Sequence, residues 1–126
     1  MNWNKNLQTW IPIGGHIDKG ESPIDAIQRE VEEEVGFDFT LYGDFRKKGG
    51  VEIVKLHKFQ IEEVPHHGHH MNFVFFGICK DHDSSVLVTD EGEKLRWFSK
   101  KEILEEEIML DSVRNSALAA LNIIRF

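Results

Sequence analysis

Between Ser22 and Val35 the segment SPIDAIQREVEEEV carries a helix signal with both ends marked, and everything else in the chain must be built around it. Ser22 is an N-cap residue, Pro23 occupies the first helical position, and Asp25 stands where a capping box needs an acceptor. Gly36 sits where a left-handed residue stops a helix. Ile24, Ile27, Val31 and Val35 recur three or four apart, which gives one stripe to bury. Glu30, Glu33 and Glu34 fall within a separate arc of the same helix, at about 100° of rotation per residue. The predicted helix therefore shows an apolar side to a core and an acidic ridge to something else.

Such a ridge is costly by itself, because like charges at i, i+3 and i+4 repel. Arg29 is adjacent to it, and Glu21 lies at the helix start. Two readings are open on the glutamates alone: a solvated acidic face, or carboxylates held together by divalent cations. Oxygen donors suit Mg2+ or Mn2+, which commonly take a few carboxylates together with water and phosphate oxygens.

The neighbouring residues favour the second. Gly15, Glu21, Arg29, Glu30, Val31, Glu33, Glu34, Gly36 and Phe37 match the pattern G-x5-E-x7-R-E-U-x-E-E-x-G-U at every position, U being a bulky apolar residue. The segment thus resembles the signature of the Nudix hydrolase family. The likeness extends to W-x-P-x-G-G-H-I-D before the helix and to L-R-W-F-S-x-x-E-I-L later in the chain. One small departure is Ile13, where many members have proline before the Gly-Gly pair. A larger one is that only nine residues precede Trp10, where the family places two strands. Either the sequence begins inside the domain, or another chain supplies or covers that sheet edge.

The resemblance implies an α/β fold, a Nudix-like α/β/α sandwich with a mixed central sheet, here with its N-terminal strands short or missing. It implies a metal-dependent hydrolase that cleaves a diphosphate linkage in a nucleoside diphosphate joined to another group. By position, Glu33 and Glu34 are the principal metal ligands, Glu30 lies beside them, and the Gly15 carbonyl is a further ligand. Arg29 and Glu21 form an ion pair that orients the ligands. A later acidic loop residue often acts as general base or extra ligand. In TDEGEKLRW the first choice is Glu91, with Glu93 and Asp90 as alternatives. Mg2+ is the implied cofactor, with Mn2+ able to replace it. The implied partner is a small-molecule diphosphate, with a homodimer left open.

Composition narrows the classes further. The chain has 126 residues, 40% hydrophobic and 29% charged, which suits one globular domain over residues 1–126. A net charge of −7 argues against nucleic-acid polymers and anionic membranes as partners. No apolar run approaches the roughly 20 residues of a membrane span. The N-terminal residues show no signal-peptide pattern. Cys79, in FVFFGIC, is the single cysteine and reads as a buried, reduced thiol in a cytoplasmic protein.

Elsewhere, Thr9 to Ile13 reads as a short strand, KKGG as a loop, and VEIVKLHKFQIEEV with MNFVFFGICK as a long hairpin or neighbouring strands. KLRWF reads as another strand. Ser99 with Glu102 repeats the capping-box pattern and opens a helix to about Glu106. A last helix spans Asp111 to Ile124, with Val113, Ala117, Ala120, Leu121 and Ile124 on one side. His66, His67, His69 and His70 surround Gly68. They are open to three readings: a polar loop, a transition-metal site, or substrate contact at the site rim. Trp10, Trp97, Phe73, Phe75 and Phe76 read as core first and as base-stacking surfaces second. Trp3 lies in a terminal stretch open to disorder.

Two other functions share parts of the signature. Isopentenyl diphosphate isomerases need added catalytic residues, including a cysteine, and Cys79 sits in a core-like strand. A Nudix-like sensor binds a nucleotide without cleaving it. Such domains commonly lose the glutamates that this chain retains.

Overall fold

The computed structural model describes residues 1–36, 39–43, 46–79, 87–88 and 94–124. They group into two compact units, one formed by residues 1–37 and 81–126 and the other by residues 38–80.

The first unit begins with β1 (Asn2–Asn4), which turns back into β2 (Thr9–Ile11). The turn is built locally. The Asn4 side-chain oxygen accepts from the Asn6 and Leu7 amides at 3.0 and 2.8 Å, so a short polar side chain replaces a backbone acceptor. Register is fixed by Asn2 opposite Ile11 and Trp3 opposite Trp10. On its other edge β1 pairs with β10 (Lys94–Leu95), which in turn pairs with β9 (Leu87–Val88). The sheet order is β2-β1-β10-β9, all antiparallel, with a parallel bridge from Trp10 to Met109. The N-terminal strand is thus present and short. It lies inside the sheet, and reciprocal 2.9 Å hydrogen bonds between Met1 and Arg96 extend its pairing. Trp3, read from sequence as open to disorder, instead packs edge-on against Trp10 at 5.4 Å between ring centres.

Helix α1 (Pro23–Glu34) follows the expected bounds, with the complete Ser22/Asp25 capping box. Gly36 takes the left-handed conformation at φ 64°, and its amide reaches back to the Val31 and Glu32 carbonyls. Ile24 and Val31 are buried as the stripe requires, and Ala26 joins them. Helix α2 (Lys100–Glu105) is likewise closed by a capping box, here Ser99 with Glu102. At and beyond its C-terminus the Ile103, Glu106 and Met109 carbonyls accept from Arg114 of α3 (Asp111–Ile123). Ile103, Met109 and Val113 form the core there, with Trp10, Phe98 and Leu118 packed on them.

One expectation for α3 fails. Leu121 is 39% exposed and Ser116 is buried. Taking Val113 as origin, Ala117, Ala120 and Ile124 lie within about 40° of it, Ser116 about 60° to one side and Leu121 about 80° to the other. The buried arc extends toward the serine.

The second unit contains three two-stranded antiparallel ladders. β3 (Phe39–Leu41) pairs with β8 (Gly77–Cys79). β4 (Arg46–Lys48) pairs with β5 (Val51–Ile53), so Lys47 and Lys48 belong to a strand and not to the expected loop. Gly49 and Gly50, both at positive φ, make the two-residue turn between them, which is the turn that matches strand twist. β6 (Lys58–Val64) and β7 (Gly68–Val74) form the hairpin anticipated from the paired apolar runs.

Only the tip of that hairpin is loop. His66 and His67 lie in it, whereas His69 and His70 are strand residues opposite Glu63 and Glu62. Because neighbouring strand residues project to opposite faces, His69 and His70 cannot act from the same side. The hairpin also exposes an apolar face at Phe59, Ile61 and Met71. Cys79 is half-buried, and burial pushes its thiol pKa up.

Candidate metal-binding site on helix α1

The last two turns of α1 carry Glu30, Glu33 and Glu34, and the loop joining β2 to α1 lies against them. Helix geometry brings these residues to one face, and the loop is drawn in by Arg29. Its Nε donates to Glu21 Oε2 at 2.7 Å and its Nη2 to Glu21 Oε1 at 2.9 Å, a two-point clamp. Nη2 also donates to the His16 carbonyl at 3.0 Å. Nη1 faces the ridge and donates to Glu30 Oε1 at 3.0 Å and to Glu33 Oε2 at 3.2 Å. Asp18 adds a carboxylate 3.5 Å from Nη2.

Four carboxylates thus converge on one guanidinium. The arginine clamp holds the Glu21 carboxyl below the usual range, with the Asp18 amide, 2.8 Å from Glu21 Oε1, adding to the effect. The same partners, Glu21 first, raise the Arg29 pKa. Glu34 points toward the loop, where the Gly14 amide approaches its Oε2 at 3.4 Å. Burial pushes the Met1 amine down to about 6, while the Glu34 carboxylate acts in the opposite direction.

Gly15 has a steric reason to be glycine. A Cβ built there would overlap Oε1 and Cδ of Glu30 and stand 2.8 Å from Oε2. The Glu30 side chain, only 14% exposed, occupies the space that any other residue at position 15 would take. The family resemblance implies that the Gly15 carbonyl faces an ion. The close approach visible here is that of a carboxylate.

Glu21, Arg29, Glu30 and Glu33 are therefore joined directly, and Gly15 and Glu34 adjoin them through the loop. Phe37, Glu91, Glu93 and Asp90 lie outside the described residues. Sequence reasoning missed Asp18, whose signal was its position three residues before Glu21 in a tight turn, closed by the Glu21 amide donating to the Asp18 carbonyl at 3.0 Å. It also missed the Gly14 amide.

Among the described residues, no three His, Cys, Asp or Glu side chains stand ready around a common point for a metal ion. The donor chemistry nevertheless fits a hard divalent cation, since it is entirely oxygen and concentrated on one rigid helix. Nη1 holds an oxygen of Glu30 at 3.0 Å and one of Glu33 at 3.2 Å.

Residues 2–120 match the NUDIX domain family. No curated protein matches the chain. Among solved structures, the crystal structure of a NUDIX-family hydrolase from Clostridium perfringens superposes with a TM-score of 0.79. The two are 21% identical, and the alignment covers 98% of this chain and 87% of the other. That similarity establishes the α/β fold, and together with the family match over nearly the whole sequence it supports one conclusion: the chain belongs to the NUDIX domain family.

Proposed function

We propose that this protein is a Mg2+-dependent hydrolase, able to use Mn2+, that cleaves the diphosphate linkage of a nucleoside diphosphate joined to another group. The observation that carries the reading is the retention of every signature residue, with Glu30 and Glu33 gathered on Arg29 and Glu34 beside the Gly14–Gly15 loop. Membership of the family supports a hydrolase of this general kind.

In this reading Glu33 and Glu34 hold the ion, with Glu30 and the Gly15 carbonyl beside them. A bound divalent cation supplies positive charge to the attacking and departing oxygens of a phosphoryl transfer. Arg29 and Glu21 fix the loop against the helix so that the ligands keep their spacing, which is a positioning role. A carboxylate on the loop before Trp97, Glu91 first and Glu93 or Asp90 next, accepts the proton of the attacking water. The expected setting is the cytoplasm, with a small-molecule substrate and a homodimer as the candidate assembly. Among the described residues no helix is long and apolar enough to cross a membrane.

A panel of diphosphate-containing compounds incubated with Mg2+, with and without a chelator, tests the proposal. Nucleotide or phosphate release that stops on chelation is expected. Release that ignores the chelator would reject the mechanism. A second reading, a domain that binds nucleotides without cleaving them, draws on Arg29 already pairing with Glu30 and Glu33. Binding without turnover across the panel would favour it.

A further inference from the structure

We propose that Arg29 is a resident counter-ion with two separable halves: Nε and Nη2 anchor it to the loop, while Nη1 holds Glu30 and Glu33 until a divalent cation takes them. The inference rests on the metal-dependent reading above and adds how the site survives and switches without its ion.

The division follows from the contacts. On one side, Nε and Nη2 hold Glu21 at 2.7 and 2.9 Å, and Nη2 also reaches the His16 carbonyl at 3.0 Å. Glu21 and His16 both belong to the loop, and Glu21 is only 19% exposed. On the other side, Nη1 alone bridges the two ridge carboxylates. Those are the oxygens a hard cation would take. Glu30 is largely shielded from water, and a carboxylate in that setting needs a positive partner. Arg29 supplies it. Glu33 is 60% exposed and is free to swing, so it is the first to transfer. A planar fork with donors pointing in different directions permits this, because it can release one side while keeping the other.

Arg29 therefore both positions the ligands and competes with the ion for them. Arg29→Gln removes both, and at hydrogen-bond range the loss of the competing charge outweighs the loss of positioning, whereas Glu21→Gln removes only the anchor. Arg29→Gln removes the competing charge and should tighten Mg2+ binding by about tenfold, since a nearby unit charge opposes a divalent ion strongly at such range. Glu21→Gln weakens the anchor and leaves Arg29 free to bind the ridge more closely, so Mg2+ binding should weaken by about threefold or more. Arg29→Gln should also lower the melting temperature in chelator, with saturating Mg2+ restoring more than it adds to the parent.

Titration calorimetry of Mg2+ into the parent and both variants measures this. Tighter binding by Arg29→Gln together with weaker binding by Glu21→Gln supports the proposal. Weaker binding by both would overturn it and leave Arg29 a purely structural clamp. A parent that takes up no ion would instead reject the metal-dependent reading and this inference with it. Should Arg29→Gln fail to fold, nitrogen-15 spectra of the parent's Arg29 side chain during Mg2+ titration decide. The Nη1 protons should lose protection while the Nε proton keeps its own. Unchanged Nη1 protection at saturation would overturn the proposal.

Discussion

Gly15→Ala separates the chemistry of the site from the stability of the fold. The backbone at Gly15 is not in the left-handed region, so alanine can adopt it without strain. The added methyl would overlap the Glu30 carboxylate and force it away. That carboxylate is the end of a flexible side chain, so a change of rotamer relieves the overlap at about 1 kcal/mol. The displaced carboxylate leaves the Arg29 Nη1 hydrogen bond and meets water instead, so little is added to that cost. Against this, replacing glycine with alanine restricts the unfolded chain and contributes about 0.4–1 kcal/mol of stability. The net change in stability is about 1 kcal/mol or less, whereas the carboxylate moves by an ångström or more. A displacement of that size costs on the order of 100-fold in rate where geometry governs. Urea melts and turnover of the best diphosphate substrate in Mg2+ are the two assays. Parental turnover in the variant would refute the reasoning, and so would a loss of stability of several kcal/mol. Combined with Glu30→Gln, the effects should be far from additive, because both act on one carboxylate.

Glu34→Gln should lower turnover by orders of magnitude with little loss of folding, since glutamine keeps the side chain's length and an oxygen to accept from the Gly14 amide; parental turnover would remove Glu34 from the ligand set. Ile103→Ala should cost about 2–5 kcal/mol in urea melts, because Ile103 is 3% exposed beside Met109 and Val113. Stability should fall as the pH drops below 4.5, the ordinary glutamate value. Arg29 holds the Glu21 pKa lower in the folded protein, so this stabilisation is complete above that pH and is lost as protonation proceeds. Melts from pH 7 to 3 should show a shallower loss in Glu21→Gln, and identical slopes would show that Glu21 does not contribute.

Helix α1 was legible because its determinants are local. Ser22, Asp25 and Gly36 cap it from within a few residues of its ends, and all three act as their identities suggest. The Glu21–Arg29 clamp was legible only through the family pattern, since a loop residue eight positions away carries no periodic signal. Strand β1 was not legible: three residues have little pattern, and its partner Leu95 lies at the far end of the chain. Leu121 was expected on the buried side and is exposed, while Ser116 is buried, because packing of α3 on Ile103 and Met109 and not hydrophobicity alone centres the buried arc. His69 and His70 looked like loop because histidine has no strand signature; the cross-strand register with Glu63 and Glu62 places them in β7. The Asp18 contact needed coordinates, because nothing in GHIDKGE says which acid would reach Arg29.

The placement of β1 between β2 and β10 sets an order for folding. The Asn2–Leu95 pairing closes a loop of most of the chain, an entropic cost of about 4 kcal/mol for an unstructured segment of that length. Residues 38–80 shorten that path if they fold first, because β3 and β8 bring together the two ends of that unit. The gain is only about 0.5 kcal/mol, since the cost grows with the logarithm of length. Completion of the four-stranded sheet must therefore wait for residues near Leu95, and a nascent chain ending before them carries the β1–β2 hairpin with one edge unpaired. Ribosome-stalled chains of increasing length should gain protection of the Asn2–Asn4 amides only once Leu95 has emerged.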